Sequence, residues 1–246
     1  MKIESLQNKK IKERCKLHLK KERDQTSLFL IEDEHLIEEA IQAKCLYELY
    51  VLEGENVSFD FPYIECSQPV LNKLSQQVSD SKMIGVCHKP VFEKNKDQKV
   101  LLCDDIQDPG NMGTLIRTAY SFGFDCIYVS RKNVDIYNSK TIQSSQGSFF
   151  HIPVIVCDLK EKIKELQRKQ VKIYATALYG QTISLQDVNV DNSFGIVVGN
   201  EGNGIKEEII ECCDTCIKIE MEAFESLNVA IAAAIVMYTF QYAKKD

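Results

Sequence analysis

The stretch Ile196-Val197-Val198-Gly199-Asn200-Glu201-Gly202-Asn203-Gly204-Ile205 passes from an apolar strand pattern, through three glycines in six residues, into a helical pattern. Glycine lets a ligand approach the backbone closely, so a nucleotide or cofactor loop is one reading and a plain tight turn is the other. The stretch is not a phosphate-binding P-loop, because Gly204 is followed by Ile205-Lys206 rather than by Lys and then Ser or Thr. Nor is it the dinucleotide fingerprint, since Glu207 stands where a third small residue is required.

Outward from this turn, strand-like runs alternate with helical patterns. The strand-like runs are Val100 to Cys103, Cys126 to Val129, Val171 to Ala175, Phe194 to Val198 and Thr215 to Ile219. The helical patterns are Met112 to Phe122, Leu159 to Gln167, Ile205 to Glu211 and Ser226 to Tyr242. Such alternation predicts an α/β domain whose mostly parallel sheet is covered by helices on both faces. Earlier in the chain, Leu28 to Ile31, Leu49 to Leu52, Tyr63 to Cys66 and Met83 to Cys87 read as strands. His35 to Lys44, opened by Asp33, and Val70 to Gln76 read as helices, which makes a second, small α/β unit. Ser5 to Arg23 has sparse apolar positions and predicts an exposed helix or two short helical turns. The charged, proline-containing segment Lys89 to Lys99 is the best linker, so domains are expected at 1–92 and 97–246.

At 246 residues, with 44% hydrophobic and 27% charged residues, the composition excludes disorder and collagen-like repeats. No apolar run approaches the roughly 20 residues needed to cross a bilayer, and the charged start lacks a signal-peptide core. A cytoplasmic protein with no membrane partner is expected. In that setting ten cysteines read as reduced thiols, and Cys212, Cys213 and Cys216 as a buried patch rather than a zinc site. The first 25 residues hold nine Lys or Arg against four acids, a net of +5, which leaves −11 on the rest of a chain whose total is −6. A basic N-terminal segment suits nucleic acid, because steering depends on local potential, although a solvated helix face has the same composition.

Two further segments carry polar residues at helix starts. In Asp108-Pro109-Gly110-Asn111-Met112-Gly113-Thr114-Leu115-Ile116-Arg117-Thr118-Ala119 the Pro-Gly turn precedes a helix, with Asn111 as its cap and Gly123 at its end. Gly113, four residues before Arg117, leaves room for the guanidinium to run back toward Asn111. In Glu225-Ser226-Leu227-Asn228, Ser226 reads as the cap and Asn228 as first-turn residue of a helix that is apolar from Val229 to Tyr238, and so buried or in a subunit interface.

Taken together and in this order, Asn111 to Arg117, Gly199 to Gly204 and Ser226 to Ala234 resemble the three motifs of the SpoU/TrmH branch of the SPOUT RNA methyltransferases. The basic start Ser5 to Lys12 is similar to that of the substrate-binding domain many members carry. The resemblance implies a C-terminal domain with a deep trefoil knot, an N-terminal RNA-binding domain, and a homodimer with the active site at the subunit interface. It further implies S-adenosylmethionine as methyl donor, a ribose 2′-hydroxyl of structured RNA as acceptor, ribosomal RNA before transfer RNA, and no metal. Carried over residue by residue, it implies that Asn111, Arg117, Glu201, Ser226 and Asn228 are catalytic. Thr176, Ala177, Gly199, Asn200, Gly202, Ile219, Met221 and Leu227 are expected to surround the cofactor. Lys9, Lys10, Lys12, Arg14 and Arg23 are the RNA-binding candidates. The chain departs from the pattern at Glu220, where proline is frequent, at Ala223, where glycine is common, and at Glu32-Asp33, where Glu-Gly is frequent. Arginine keeps its proton, so Arg117 is read as a phosphate clamp that stabilises alkoxide charge rather than as a free base. A non-catalytic RNA-binding or ribosome-assembly protein on the same fold is the competing reading, disfavoured by Arg117, Glu201 and Asn228. An NTPase is disfavoured by the missing Lys-Ser/Thr.

Overall fold

The computed structural model describes residues 2–77, 80–93, 96–177, 181–223 and 226–243, and its chain divides into two units, residues 1–91 and 92–246. Positions 94 and 95 of the linker stretch, and Glu225 ahead of the last helix, lie outside the described residues.

In the first unit Asn8 opens a helix, its side chain accepting from the backbone N–H of Lys10 at 2.9 Å and of Ile11 at 3.4 Å. The elements are β1 (Lys2–Ile3), α1 (Lys9–Cys15), α2 (Lys20–Thr26), β2 (Leu28–Glu32), α3 (Glu34–Gln42), β3 (Leu46–Leu52), β4 (Ile64–Cys66), α4 (Gln68–Leu74) and β5 (Met83–His88). Five strands pair in the order β1-β4-β3-β5-β2, with β5 antiparallel to both its neighbours and the rest parallel. The basic start takes the second of the two forms expected of it, two short helices with most of their residues exposed. Of its four sparse apolar side chains Ile11 and Leu17 are buried among Leu28, Tyr50, Val70 and Leu71, and these two anchor the segment, while Leu6 and Leu19 are exposed.

The second unit runs β6 (Lys99–Cys103), α5 (Pro109–Ser121), β7 (Cys126–Val129), α6 (Ser139–Ser145), β8 (Val154–Val156), α7 (Leu159–Arg168), β9 (Lys172–Thr176), β10 (Ile183–Ser184), β11 (Phe194–Val198), α8 (Glu207–Ile210), β12 (Thr215–Lys218) and α9 (Val229–Tyr242). Its seven strands are all parallel, in the order β10-β12-β9-β11-β6-β7-β8. All five residues of the central β11 are buried, as a strand covered on both faces requires. On one face Leu159, Ile163 and Leu166 of α7 pack on Val100, Leu102 and Ile173. The thiols of Cys212, Cys213 and Cys216 lie half-buried against this same core, and all ten cysteines are free. Among the described residues there is no group of three His, Cys, Asp or Glu side chains able to hold a metal, and no helix long and apolar enough to cross a membrane.

Helix α6 has no apolar stripe to announce it, being Ser-Lys-Thr-Ile-Gln-Ser-Ser. It forms because Asn138 caps it and because Gly113 admits it to α5. A β-carbon at Gly113 would stand 2.4 Å from the Thr141 carbonyl oxygen and 2.5 Å from the Ser144 β-carbon. The space at Gly113 is therefore taken by α6, and the expected path for the Arg117 side chain back toward Asn111 is closed.

Candidate active site

Where β11 ends, the chain folds back on itself. Asn200 and Gly204 exchange backbone hydrogen bonds of 2.9 Å in each direction, and the Asn200 side chain accepts from the N–H groups of Gly202 and Asn203 at 3.0 Å. Gly199 must be glycine for this turn to close, since a β-carbon there would lie 2.2 Å from the Gly204 carbonyl carbon. Gly204 supplies a φ of +69°, the left-handed region. The turn is tied to the end of β6 by Asn200 Nδ2, which donates to the Asp105 carbonyl at 2.9 Å. Lys206 adds a second tether, pairing with the buried Asp104 at 3.0 Å and with Asp105 at 2.6 Å. Sequence reasoning passed over Asp104, Asp105 and Lys206. Two adjacent acids directly after an apolar strand were the available signal.

Three distant segments are joined through Asn111. Asn111 Nδ2 donates to Glu201 Oε1 at 3.0 Å, and Asn228 Nδ2 donates to Asn111 Oδ1 at 3.0 Å. The backbone N–H groups of Gln107 and Asp108 also donate to the Glu201 carboxylate, each at 3.2 Å. Burial pushes the Glu201 carboxyl up, but these donors outweigh it and hold the group below its ordinary range, so it stays ionised. The caps differ from those expected. Asp108, not Asn111, caps α5, its carboxylate accepting from the Asn111 N–H at 2.8 Å, which frees the Asn111 side chain for Glu201. Asn228, not Ser226, caps α9, accepting from Ala230 and Ile231 at 2.9 and 3.3 Å while its amide reaches Asn111.

A cavity of about 390 Å³ opens past the C-terminal ends of β9, β11 and β12, the usual location for a ligand on a parallel sheet. Thr176, Ala177, Gly199, Asn200, Gly202, Ile219, Met221 and Leu227, the eight positions expected around a cofactor, all line it. Glu201, Ser226 and Asn228 line it too. Ile217, Lys218 and Val236 are wall residues that lie outside the motifs. Glu220, in place of the frequent proline, sits beside Lys218 in an exposed ion pair of 3.3 Å.

Arg117 is not brought to this cluster within the chain. It is exposed, and among the described residues its guanidinium makes no hydrogen bond or ion pair. Six residues separate it from Asn111, which places the two about a third of a turn apart around α5. The RNA-binding candidates also divide. Lys9 and Lys12 are exposed, whereas Lys10 pairs with Glu48 at 2.9 Å and Arg14 binds the same carboxylate through two nitrogens at 2.9 and 3.0 Å. Arg23 is buried and donates to the carbonyls of Leu17 and His18 at 2.7 and 2.8 Å, so it holds the turn between α1 and α2 instead of facing outward.

The family model described as SpoU rRNA methylase matches residues 98–238, and the MRM3-like substrate binding domain model matches residues 8–85. The 23S rRNA (guanosine(2553)-2'-O)-methyltransferase RlmP of Bacillus subtilis is 40% identical over 242 residues, 96% of this chain and 97% of its own. A crystal structure described as an RNA 2'-O ribose methyltransferase superposes with a TM-score of 0.83 at 28% identity, covering 97% of both chains. The AdoMet-bound rRNA methyltransferase of Sinorhizobium meliloti has the same fold, with a TM-score of 0.83 at 24% identity over 98% of this chain and 97% of its own.

Proposed function

Because the chain belongs to the SpoU rRNA methylase family, we propose that it transfers the methyl group of S-adenosylmethionine to a ribose 2′-hydroxyl of large-subunit ribosomal RNA. The observation that carries this reading is the meeting of Asn111, Glu201 and Asn228, from three segments, at the mouth of one cavity. That cavity fits the donor. Its walls combine the apolar side chains of Ala177, Ile219, Leu227 and Val236, suited to a flat base, with a glycine turn whose backbone can be approached closely.

Bound there, S-adenosylmethionine supplies an activated methyl group, and the chain's own residues position the acceptor. The ionised Glu201 fixes the Asn111 amide, which accepts from Asn228, so the polar edge of the site is preorganised. Ser226 and Asn228 orient the ribose. Arg117 clamps an RNA phosphate and stabilises charge developing on the 2′-oxygen, with the proton lost late or to that phosphate.

The working form is a cytoplasmic homodimer. Ile231, Ile235, Tyr238 and Tyr242 form one stripe of α9 at helical spacing, and Ile231 and Tyr238 are 55% and 57% exposed in the single chain. The separation of Arg117 from its own chain's Asn111 supports a site completed by the second subunit. A trefoil knot belongs to the same reading, as the resemblance to the SpoU/TrmH branch implies. RNA contacts of the first unit fall to Lys9 and Lys12, its exposed candidates.

The test has two parts. Calorimetry should show binding of S-adenosylmethionine and not of ATP. Mapping of 2′-O-methyl groups in RNA from cells with and without the gene should show one site lost, with a 23S guanosine the first to assay. Unchanged methylation in the absence of the gene would overturn the proposal.

A further inference from the structure

Tyr120 lies on α5, three residues after Arg117, so the two side chains share a helix face. Its ring is 44% exposed and stacks on His151, with centroids 5.4 Å apart and planes inclined by only 22°. Thr114 and Ser121, also exposed on this helix, turn their hydroxyls inward to the carbonyls of Gly110 and Arg117 at 2.9 and 2.8 Å. The recognition groups left outward are thus a supported aromatic ring and a guanidinium. Helix α5 contains no Asp or Glu, although the chain as a whole carries −6.

We infer that Tyr120, backed by His151, is a stacking platform for an unpaired base of the RNA, beside the phosphate that Arg117 holds. The inference rests on the proposed function, which supplies both the RNA and the phosphate held by Arg117. Charge decides between this occupant and a protein surface. A subunit packed flat over Tyr120 would also cover Arg117, whose guanidinium has no ionic partner among the described residues and, in the proposed function, must stay open to an RNA phosphate. A nucleotide satisfies both groups, since it brings an anionic phosphate and a flat π-face within one repeat. A base inside a duplex has both faces covered, so the platform selects single-stranded or looped RNA. The near-parallel contact with His151 holds the Tyr120 ring in place before RNA arrives, so less side-chain freedom is lost on binding.

The test uses the full chain and an unstructured RNA of about 12 nucleotides, a length matched to single-strand binding sites, carrying one central 2-aminopurine. Stacking quenches the fluorescence of that base. Wild type and Tyr120→Phe should bind alike and quench alike. Tyr120→Leu should bind roughly five- to a hundredfold more weakly, the range for losing one stacked base, and should lose the quench. His151→Ala should weaken binding in the same direction. The same strand annealed to its complement should give no Tyr120-dependent quench. Wild-type affinity and quench in Tyr120→Leu would overturn the inference, and so would a changed sedimentation coefficient, which would place the ring in a subunit interface. Failure of the wild-type chain to bind this RNA at all would overturn it as well. Loss of S-adenosylmethionine binding by wild type would instead remove the proposed function and leave the stacking result readable on its own.

Discussion

Asn228, the cap of α9, donates to the side chain of Asn111, in the first turn of α5, at 3.0 Å across 117 residues of chain. One amide thus serves two purposes: its oxygen closes the N-terminus of α9 and its nitrogen joins the two helices at the cavity mouth. Asn228→Ala should destabilise the second unit by about 1 kcal/mol through the lost cap. Asn228→Asp keeps the cap but gives up the donor, and should retain stability while losing activity. Thermal unfolding and methyl-transfer rates measured on the same samples separate the two effects. Equal activity in Asn228→Asp and wild type would show that the Asn111 contact is only structural.

Arg117 is expected to act on rate and not on fold, since it is exposed and its side chain contacts nothing that a helix needs. Arg117→Ala should leave S-adenosylmethionine affinity near wild type and slow single-turnover methyl transfer by roughly a hundredfold or more, the scale for losing one preorganised contact to developing charge. Arg117→Lys should rescue poorly, because lysine lacks the planar fork that can hold two oxygens. A wild-type single-turnover rate in Arg117→Ala would remove the proposed clamp.

Tyr238 stands in the middle of the exposed stripe of α9, against Phe122 at 5.9 Å and Tyr242 at 5.0 Å. Placing a charge there, as in Tyr238→Asp, should shift the protein from dimer to monomer in sedimentation at micromolar concentration. If Arg117 works on the second subunit's cavity, activity should fall with the dimer fraction. A fully active monomer would contradict that arrangement.

Glu48 accepts from Arg14, Lys10 and the Tyr50 hydroxyl. Burial raises its pKa, but these donors lower it further, from an ordinary 4.5 to about 2. A carboxyl held low in the folded state adds stability that is complete above the unfolded pKa and lost as pH falls through the folded one. The first unit should therefore lose Tm between about pH 4.5 and pH 2 more steeply in wild type than in Glu48→Gln. Parallel curves in calorimetric unfolding would show that the cluster contributes nothing.

Elements whose apolar residues repeat at a clear period were legible in the sequence, β11 and α7 among them, and their observed bounds fall within one residue of the pattern. Helix α6 was not, since its place is decided by a gap in another helix, at Gly113, and no pattern within its own seven residues reports that. The glycine turn could be seen but not interpreted from its own residues, because what makes it a site is the bond between Glu201 and Asn111, about ninety residues before, which in turn holds Asn228. The basic segment misled for the opposite reason. Composition counts Arg14 and Arg23 as positive charge, whereas Glu48 and two backbone carbonyls occupy them.

The position of β11 sets the order in which the second unit can assemble during synthesis. It lies between β9 and β6, in register from Phe194 opposite Lys99 to Val198 opposite Cys103. Until residue 198 has left the ribosome, β6 and β9 each lack the neighbour that joins them, and two apolar strand edges stay open. Such long-range parallel pairing is slow to form, and open edges of that kind are where nascent chains aggregate. A translational delay that holds residues 194–198 inside the ribosome should thus lower the yield of soluble protein more than the same delay placed after they have emerged.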